Sequence, residues 1–267
     1  MLTKRLIACF DVKNGFVTKA QQFNDNILVD KAEAVAQKVY DEQIDEIIFY
    51  DITASAQKRK TDLETVSKVA ERVFVPFTVG GGIKTVADMY DVLAAGAEKI
   101  SVDSMAVRNP QIIRDGARAF GSQCIVLSMQ VKAAGKSAKL PSGYEIAIDG
   151  AAVYTGMDAV EWAKRGEALG AGEICVNSID NDGMHGGYDL DITSRISRAV
   201  NIPVIASGGA GKPEHLKDAF QKTGATAAII SSILYSPRLE RNYTVREIKE
   251  YLRRSEVPVR PWAERPE

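Results

Sequence analysis

Eight short apolar runs alternate with longer segments of helical period, and this alternation limits the fold of the 267-residue chain more than any other feature. The runs are Leu6–Phe10, Glu46–Tyr50, Val75–Val79, Lys99–Val102, Cys124–Met129, Glu173–Ser178, Pro203–Ala206 and Ala227–Ile230. Helices are expected at about 30–42, 61–72, 85–95, 109–119, 157–169, 190–200, 212–222 and 244–254. Strands joined by such helices read as parallel neighbours, and eight pairs in about 260 residues match a (β/α)8 TIM barrel. No Gly-x-Gly-x-x-Gly fingerprint follows the first run, and no Pro- or Gly-rich linker divides the chain. One closed barrel spanning 1–267 is therefore preferred to an open doubly wound sheet. Lys132–Tyr154, with alternating Tyr144, Ile146 and Ile148, reads as a hairpin inserted after the fifth strand, over the face where barrels elaborate their loops.

The chain also repeats itself by half-barrels. Val79–Ser104 aligns with Ser207–Ser232 at a constant offset of 128, pairing Gly80 with Gly208, Gly81 with Gly209, Lys84 with Lys212, Gly96 with Gly224, Ala97 with Ala225 and Ser104 with Ser232. Ile7–Lys13 likewise matches Val126–Lys132, which sets Asp11 against Gln130.

Composition excludes several classes of function. The net charge is −1 with charges spread along the chain, so neither a nucleic-acid nor a membrane surface is indicated. Cys9, Cys124 and Cys175 are far apart and lie in apolar runs, as expected in a reduced, cytoplasmic protein. Two histidines and no paired Cys motif give no basis for a metal centre, and no cofactor is implied. No apolar stretch is long enough for a membrane span, and no cleavable signal is evident.

Barrel active sites form at the C-terminal ends of strands. Those ends carry Asp11, Asp51, Gly81 and Gly82, Asp103 and Ser104, Gln130, Asn177, Asp182 and Gly183, Gly208 and Gly209, and Ser231 and Ser232. Gly-rich turns entering helices offer backbone N–H groups and a helix dipole to a phosphate. Two such turns, Gly81-Gly82 with Ser104 and Gly208-Gly209 with Ser232, imply a substrate with a phosphate at each end; alternatively the glycines only make tight turns. Asp103 opposes an anion at the first site. Asp11 is the acid/base candidate, because a carboxylate ending an apolar strand can be tuned by burial; a cap or a pair with Lys13 or Lys19 is the structural alternative. Its repeat mate, Gln130, hydrogen-bonds but carries no titrating proton. Asp51 and Asp182 read as hydroxyl binders or Asx-turn formers, and Lys19 as a phosphate contact or a solvated lysine. His185 is a possible second proton carrier, whereas His215, in the first turns of a helix, reads as structural.

Several stretches together resemble one family over about residues 1–260. They include Lys4-Arg5, Asp11-Val12-Lys13, Asp51-Ile52-Thr53-Ala54-Ser55, Lys58-Arg59-Lys60, Phe77–Ile83, Phe120–Gln123, Gly170–Glu173, Ser178-Ile179-Asp180, Gly187-Tyr188-Asp189 and Ile205–Lys212. The chain resembles the cyclase subunit of imidazole glycerol phosphate synthase, the barrel of histidine biosynthesis. The resemblance implies a heterodimer with a glutaminase docked at the bottom of the barrel. Its ammonia would cross the barrel and convert a bis-phosphate aminoimidazole carboxamide ribonucleotide derivative into imidazole glycerol phosphate and AICAR. It also implies an ammonia gate at Arg5, Glu46, Lys99 and Glu173.

The departures from that family lie at the catalytic face. Gln130 stands where the family has its second catalytic Asp, Asp103 and Ser104 replace an Asn and a Thr, Tyr50 replaces an apolar residue, and Asn177 replaces a Thr. Gln21–Lys31 has none of the family's first-loop pattern. A working cyclase, a paralogue passing ammonia to another acceptor such as a surface sugar, and a non-catalytic barrel that activates a glutaminase are the readings left open.

Overall fold

In the computed structural model, residues 2–21, 24–54, 57, 59–236 and 239–263 are described, with 19–21 and 24–26 by backbone alone. In chain order the elements are β1 (Arg5–Lys13), β2 (Phe16–Gln21), β3 (Asn24–Lys31), α1 (Ala32–Asp41), β4 (Glu46–Asp51), α2 (Leu63–Ala70), β5 (Phe77–Gly80), α3 (Val86–Ala94), β6 (Lys99–Val102), α4 (Ser104–Arg108) and α5 (Gln111–Phe120). Then follow β7 (Ile125–Ala133), β8 (Tyr144–Ile148), β9 (Val153–Asp158), α6 (Ala159–Leu169), β10 (Glu173–Ser178), α7 (Leu190–Ala199), β11 (Val204–Ser207), α8 (Pro213–Lys222), β12 (Ala227–Ile230), α9 (Ser232–Tyr235) and α10 (Val245–Arg254).

Eight strands pair in parallel in the order β1-β4-β5-β6-β7-β10-β11-β12, and β12 returns to β1, closing the expected (β/α)8 barrel. Two antiparallel hairpins stand on this frame. The expected one is β8–β9, which pairs with β7 through Gln130↔Ala147. The other, β2–β3, occupies the segment expected to be a loop and delays the first helix to Ala32. Its Val, Ile and Leu residues are spaced too irregularly to stand out as strands.

Period-two alternation explains how one sequence serves two cores. In β1, Leu6, Ala8, Phe10 and Val12 join the layer under the helices, whereas Ile7 and Cys9 join a separate interior cluster with Ile48, Val126, Cys175, Ile205, Ala227 and Ile229. Continuing the inward register along each strand gives columns that change character from bottom to top. They read Arg5-Ile7-Cys9-Asp11, Glu46-Ile48-Tyr50, Lys99-Ser101-Asp103, Val126-Ser128-Gln130 and Glu173-Cys175-Asn177. In four of these columns charge lies at the bottom, with apolar or small groups above it, and all five end in hydrogen-bonding groups at the mouth.

Five helices start where side-chain acceptors satisfy exposed N–H groups: Thr85 and Thr244 form capping boxes with Asp88 and Glu247 at α3 and α10, and Asp62, Asp158 and Asp189 cap α2, α6 and α7.

The constant repeat offset of 128 requires correction. Strands β5 and β11 begin at 77 and 204, whereas β6 and β12 begin at 99 and 227. Helix α8 has ten residues where α3 has nine, so the offset is 127 before the helix and 128 after it. Gly81 therefore corresponds to Gly208 and Gly82 to Gly209, all four at positive φ, while Gly80 corresponds to Ser207. Ser104 and Ser232 still correspond, opening α4 and α9. The residues before them, Asp103 (φ −132°, ψ −99°) and Ser231 (φ −139°, ψ −76°), share an uncommon backbone conformation.

Candidate active site

The C-terminal ends of the strands surround a cavity of about 790 Å³, lined by Asp11, Tyr50, Asp51, Asp103, Ser104, Gln130, Asn177, Asp182, Gly183, His185, Ser231 and Ser232 and by both glycine turns. Sequence reasoning therefore brings nearly all of its named positions to one mouth. Lys19 is carried on β2, and its side chain lies outside the described residues. Ser55 and Lys58 also lie outside them.

Each glycine turn is clamped by the strand end beside it. At the first, a Cβ on Gly81 would collide with the Asp51 carbonyl, and one on Gly82 would lie 2.7 Å from the Ala54 methyl. The clamp exists because Asp51 organises residues 51–62. Its carboxylate accepts Arg59 Nη1 at 2.6 Å and Nη2 at 2.8 Å, and the backbone N–H groups of Thr53, Ala54 and Asp62 at 3.0–3.2 Å. A carboxylate so filled is a loop organiser, the Asx-turn alternative, rather than an open hydroxyl binder. The role of Arg59 goes unread in the sequence because the partner is eight residues away through irregular chain.

At the second turn, Gly209 sits against the Gly187 carbonyl and Gly208 against that of Ser178. Asn181 Nδ2 donates to Gly187 O at 2.8 Å, and Gly187 N–H to Gly209 O at 2.8 Å, so the loop after β10 is pinned to the turn. Asn177 Oδ1 accepts the Ser207 hydroxyl at 2.8 Å. His215 Nδ1 accepts the Gly211 N–H at 3.1 Å, which agrees with a structural role; burial, helped by Lys212, lowers its pKa. His185 lines the cavity in a left-handed conformation at φ 59°.

The two turns differ in charge. At the first, Asp103 stands ahead of α4, and the tip of the β8–β9 hairpin folds over it. Asp149 N–H donates to Ser104 Oγ at 2.9 Å while the Asp149 carboxylate pairs with Arg108. At the second, the position of Asp103 is Ser231, whose hydroxyl donates to Cys9 O at 2.7 Å. The Asp103 carboxylate accepts Gln130 Nε2 at 3.0 Å. Burial pushes the Asp103 pKa up, opposed by hydrogen bonds from Ser104 and Gln130 and reinforced by Asp149.

Beneath the mouth, the Tyr50 hydroxyl lies 3.2 Å from Ser101 Oγ and 3.4 Å from Ser128 Oγ, and burial raises its pKa well above the usual phenol value. Below the interior cluster, the four expected charges form a closed ring. Arg5 Nη1 contacts Glu46 at 2.7 Å and its Nη2 contacts Glu173, while Lys99 Nζ reaches Glu46 at 3.3 Å and Glu173 at 3.2 Å. Both glutamates are buried, and each touches both cations, so neither is left without compensation.

A closed (β/α)8 barrel with a polar cavity at its C-terminal mouth, bordered by two glycine turns, and a charged ring at the opposite end has the layout in which barrel enzymes place their active sites. The chain belongs to the histidine biosynthesis protein family, whose model matches residues 5–240, and within it to the imidazole glycerol phosphate synthase subunit HisF family. It is 53% identical over 260 residues to that subunit from Desulfatibacillum aliphaticivorans, covering 97% of this chain and 98% of that protein. It is 55% identical over 249 residues to the subunit from Nitratidesulfovibrio vulgaris (strain DP4), covering 93% and 95%.

Proposed function

We propose that this chain is the cyclase subunit of an imidazole glycerol phosphate synthase, working in the cytoplasm with a glutaminase partner. The observation that carries the reading is the closed ring of Arg5, Glu46, Lys99 and Glu173 beneath an apolar barrel interior that leads to the Asp11 mouth. Ammonia released below the ring enters when the ion pairs part. It then passes Ile7, Ile48, Val126 and Cys175, where little competes for its lone pair, and meets hydroxyl groups at Tyr50, Ser101 and Ser128.

At the mouth, the bis-phosphate ribonucleotide spans the cavity with one phosphate on Gly81, Gly82 and Ser104 and the other on Gly208, Gly209, Ser231 and Ser232. Asn177, Asp182 and Gly183 border the span between them, and Lys19 is assigned to the first loop's phosphate contact. Nitrogen attacks the acceptor carbon and Asp11 takes a proton from it, so that cleavage and ring closure yield imidazole glycerol phosphate and AICAR. The test is turnover of that ribonucleotide with ammonium salt at alkaline pH by the isolated chain. Asp11→Asn should lower kcat by about 10²- to 10⁴-fold, and equal turnover by that variant would remove Asp11 from the mechanism.

A second reading, ammonia transfer to a different acceptor, is favoured by one observation: the hairpin tip is hydrogen-bonded to Ser104, and two carboxylates, Asp103 and Asp149, stand beside that residue. Product formation from a sugar nucleotide but not from the ribonucleotide would select it.

A further inference from the structure

Addition of ammonia is served by a base at the nitrogen and an acid at the acceptor oxygen, and Gln130, the repeat counterpart of Asp11, is not an acid. Asp182 and His185 line the cavity from the loop after β10, and the remaining groups offer few replacements. Asp51 is filled by Arg59 and backbone N–H groups, Asp149 pairs with Arg108, and burial drives Tyr50 and Cys175 far towards their protonated forms. Asp103 is different. It tops the inward column Lys99-Ser101-Asp103 on the strand next to β7, and its carboxylate is held by Gln130 itself at 3.0 Å.

We propose that Asp103 is the second proton-transfer group of this site, with Gln130 as its positioning residue. The carboxylate stands on the strand next to Gln130, the position that the half-barrel repeat pairs with Asp11.

The amide suits this role in both protonation states. Gln130 Nε2 donates to the charged carboxylate, and Gln130 Oε1 is buried without a hydrogen-bond partner among the described residues. Turning the amide over would present that oxygen to the O–H of a protonated Asp103, so the same side chain serves acid and base. A carboxylate at 130 could not, since two such groups about 3 Å apart cannot both ionise. The groups facing Asp103 are Ser104 and Arg108 on its own helix, Gln130 on β7 and Asp149 on the hairpin tip.

The step balances. The ammonia lone pair forms the C–N bond, the π pair of the acceptor C=O bond moves onto its oxygen while the σ bond stays, Asp11 takes one N–H proton, and protonated Asp103 gives its proton to that oxygen. Solvent at the open mouth resets both carboxyl groups.

This inference rests on the cyclase reading, and the experiment separates the two. Wild type, Asp103→Asn, Gln130→Asp and the exchanged pair Asp103→Asn/Gln130→Asp are assayed with the bis-phosphate ribonucleotide and ammonium chloride from pH 6 to 9. Folding is checked by circular dichroism.

The expected result is that Asp103→Asn lowers kcat by about 10²- to 10⁴-fold with little change in KM and removes one limb of the pH profile, and that the exchanged pair restores it to within about tenfold. Full kcat in Asp103→Asn overturns the proposal and leaves the cyclase reading intact. An inert wild type beside an active exchanged pair does the same, because the acid would then belong only at 130. Silence in all four folded proteins overturns the cyclase reading and the proposal together.

Discussion

Lys99 Nζ lies 3.2 Å from Glu173 Oε2 and bridges that glutamate to Glu46, so one lysine closes a ring that Arg5 alone would leave open on one side. Replacing Lys99 by Ala should leave the barrel folded, since Arg5 still contacts both glutamates. The loss in stability should be about 2 kcal/mol, below the roughly 3–5 kcal/mol of a fully buried pair losing its only partner. With a docked glutaminase, product formed per glutamine hydrolysed should fall. An unchanged ratio would reject the ring as a gate.

Tyr50 and Gly80 form a packing pair in the barrel interior. A Cβ on Gly80 would lie 2.8 Å from the Tyr50 ring, so the glycine makes room for the phenol. Gly80→Ala should destabilise by about 1–3 kcal/mol through overpacking, and most of that effect should vanish in a Tyr50→Ala background. Tyr50→Phe should lose only about 1 kcal/mol, that of the hydroxyl's hydrogen bonds. Urea denaturation of the four proteins in the Gly80/Tyr50 cycle measures the coupling, and additive effects would show that the two residues do not touch in solution.

How legible all this is in the sequence depends on periodicity. The eight barrel strands and the β8–β9 hairpin follow from apolar runs, whereas the charge ring is implied by the family resemblance alone; strand alternation accounts for Arg5, Glu46, Lys99 and Glu173 sharing one inward register once the fold is known. The short helices α4 and α9 escape notice, because four or five residues are too few to show a 3.6-residue period. The one-residue change of repeat offset is hidden inside α8, where an added residue turns the helix without breaking its pattern. Least legible are the contacts across loops: Arg59 with Asp51, Asp149 with Ser104, and Gln130 with Asp103 join distant residues through tertiary closure alone.

Asp103 should also appear in the pH dependence of stability. Burial raises its folded pKa above that of an ordinary aspartate, so over part of the acid range the native state holds a proton there that the unfolded chain has released. That contribution is fully present below the unfolded pKa and is lost as pH rises through the folded one. Asp103→Asn should therefore gain on wild type as pH rises above about 4, and thermal unfolding at several pH values follows the difference. Parallel Tm curves for the two proteins would show that the fold does not perturb this carboxyl.

The glycine turns share a backbone but not a charge, and phosphate affinity should report the difference. Asp103 precedes Ser104 at the first turn, with Asp149 beside it, whereas Ser231 precedes Ser232 at the second. A carboxylate about 4 Å from a bound anion opposes it by about 1 kcal/mol in water and about 4 kcal/mol at an effective dielectric of 20. Inorganic phosphate at pH 8 should accordingly fill the turn at Gly208 and Gly209 first, with the turn at Gly81 and Gly82 weaker by about tenfold or more. Lowering the pH protonates Asp103 and should narrow the gap, and Asp103→Asn should narrow it at every pH. The loss must come from charge rather than shape, because Asn keeps the size of the side chain. Crystals soaked at graded phosphate concentrations give the two occupancies directly, and equal filling of both turns by the wild-type protein at pH 8 would show that Asp103 and Asp149 are neutralised where they stand.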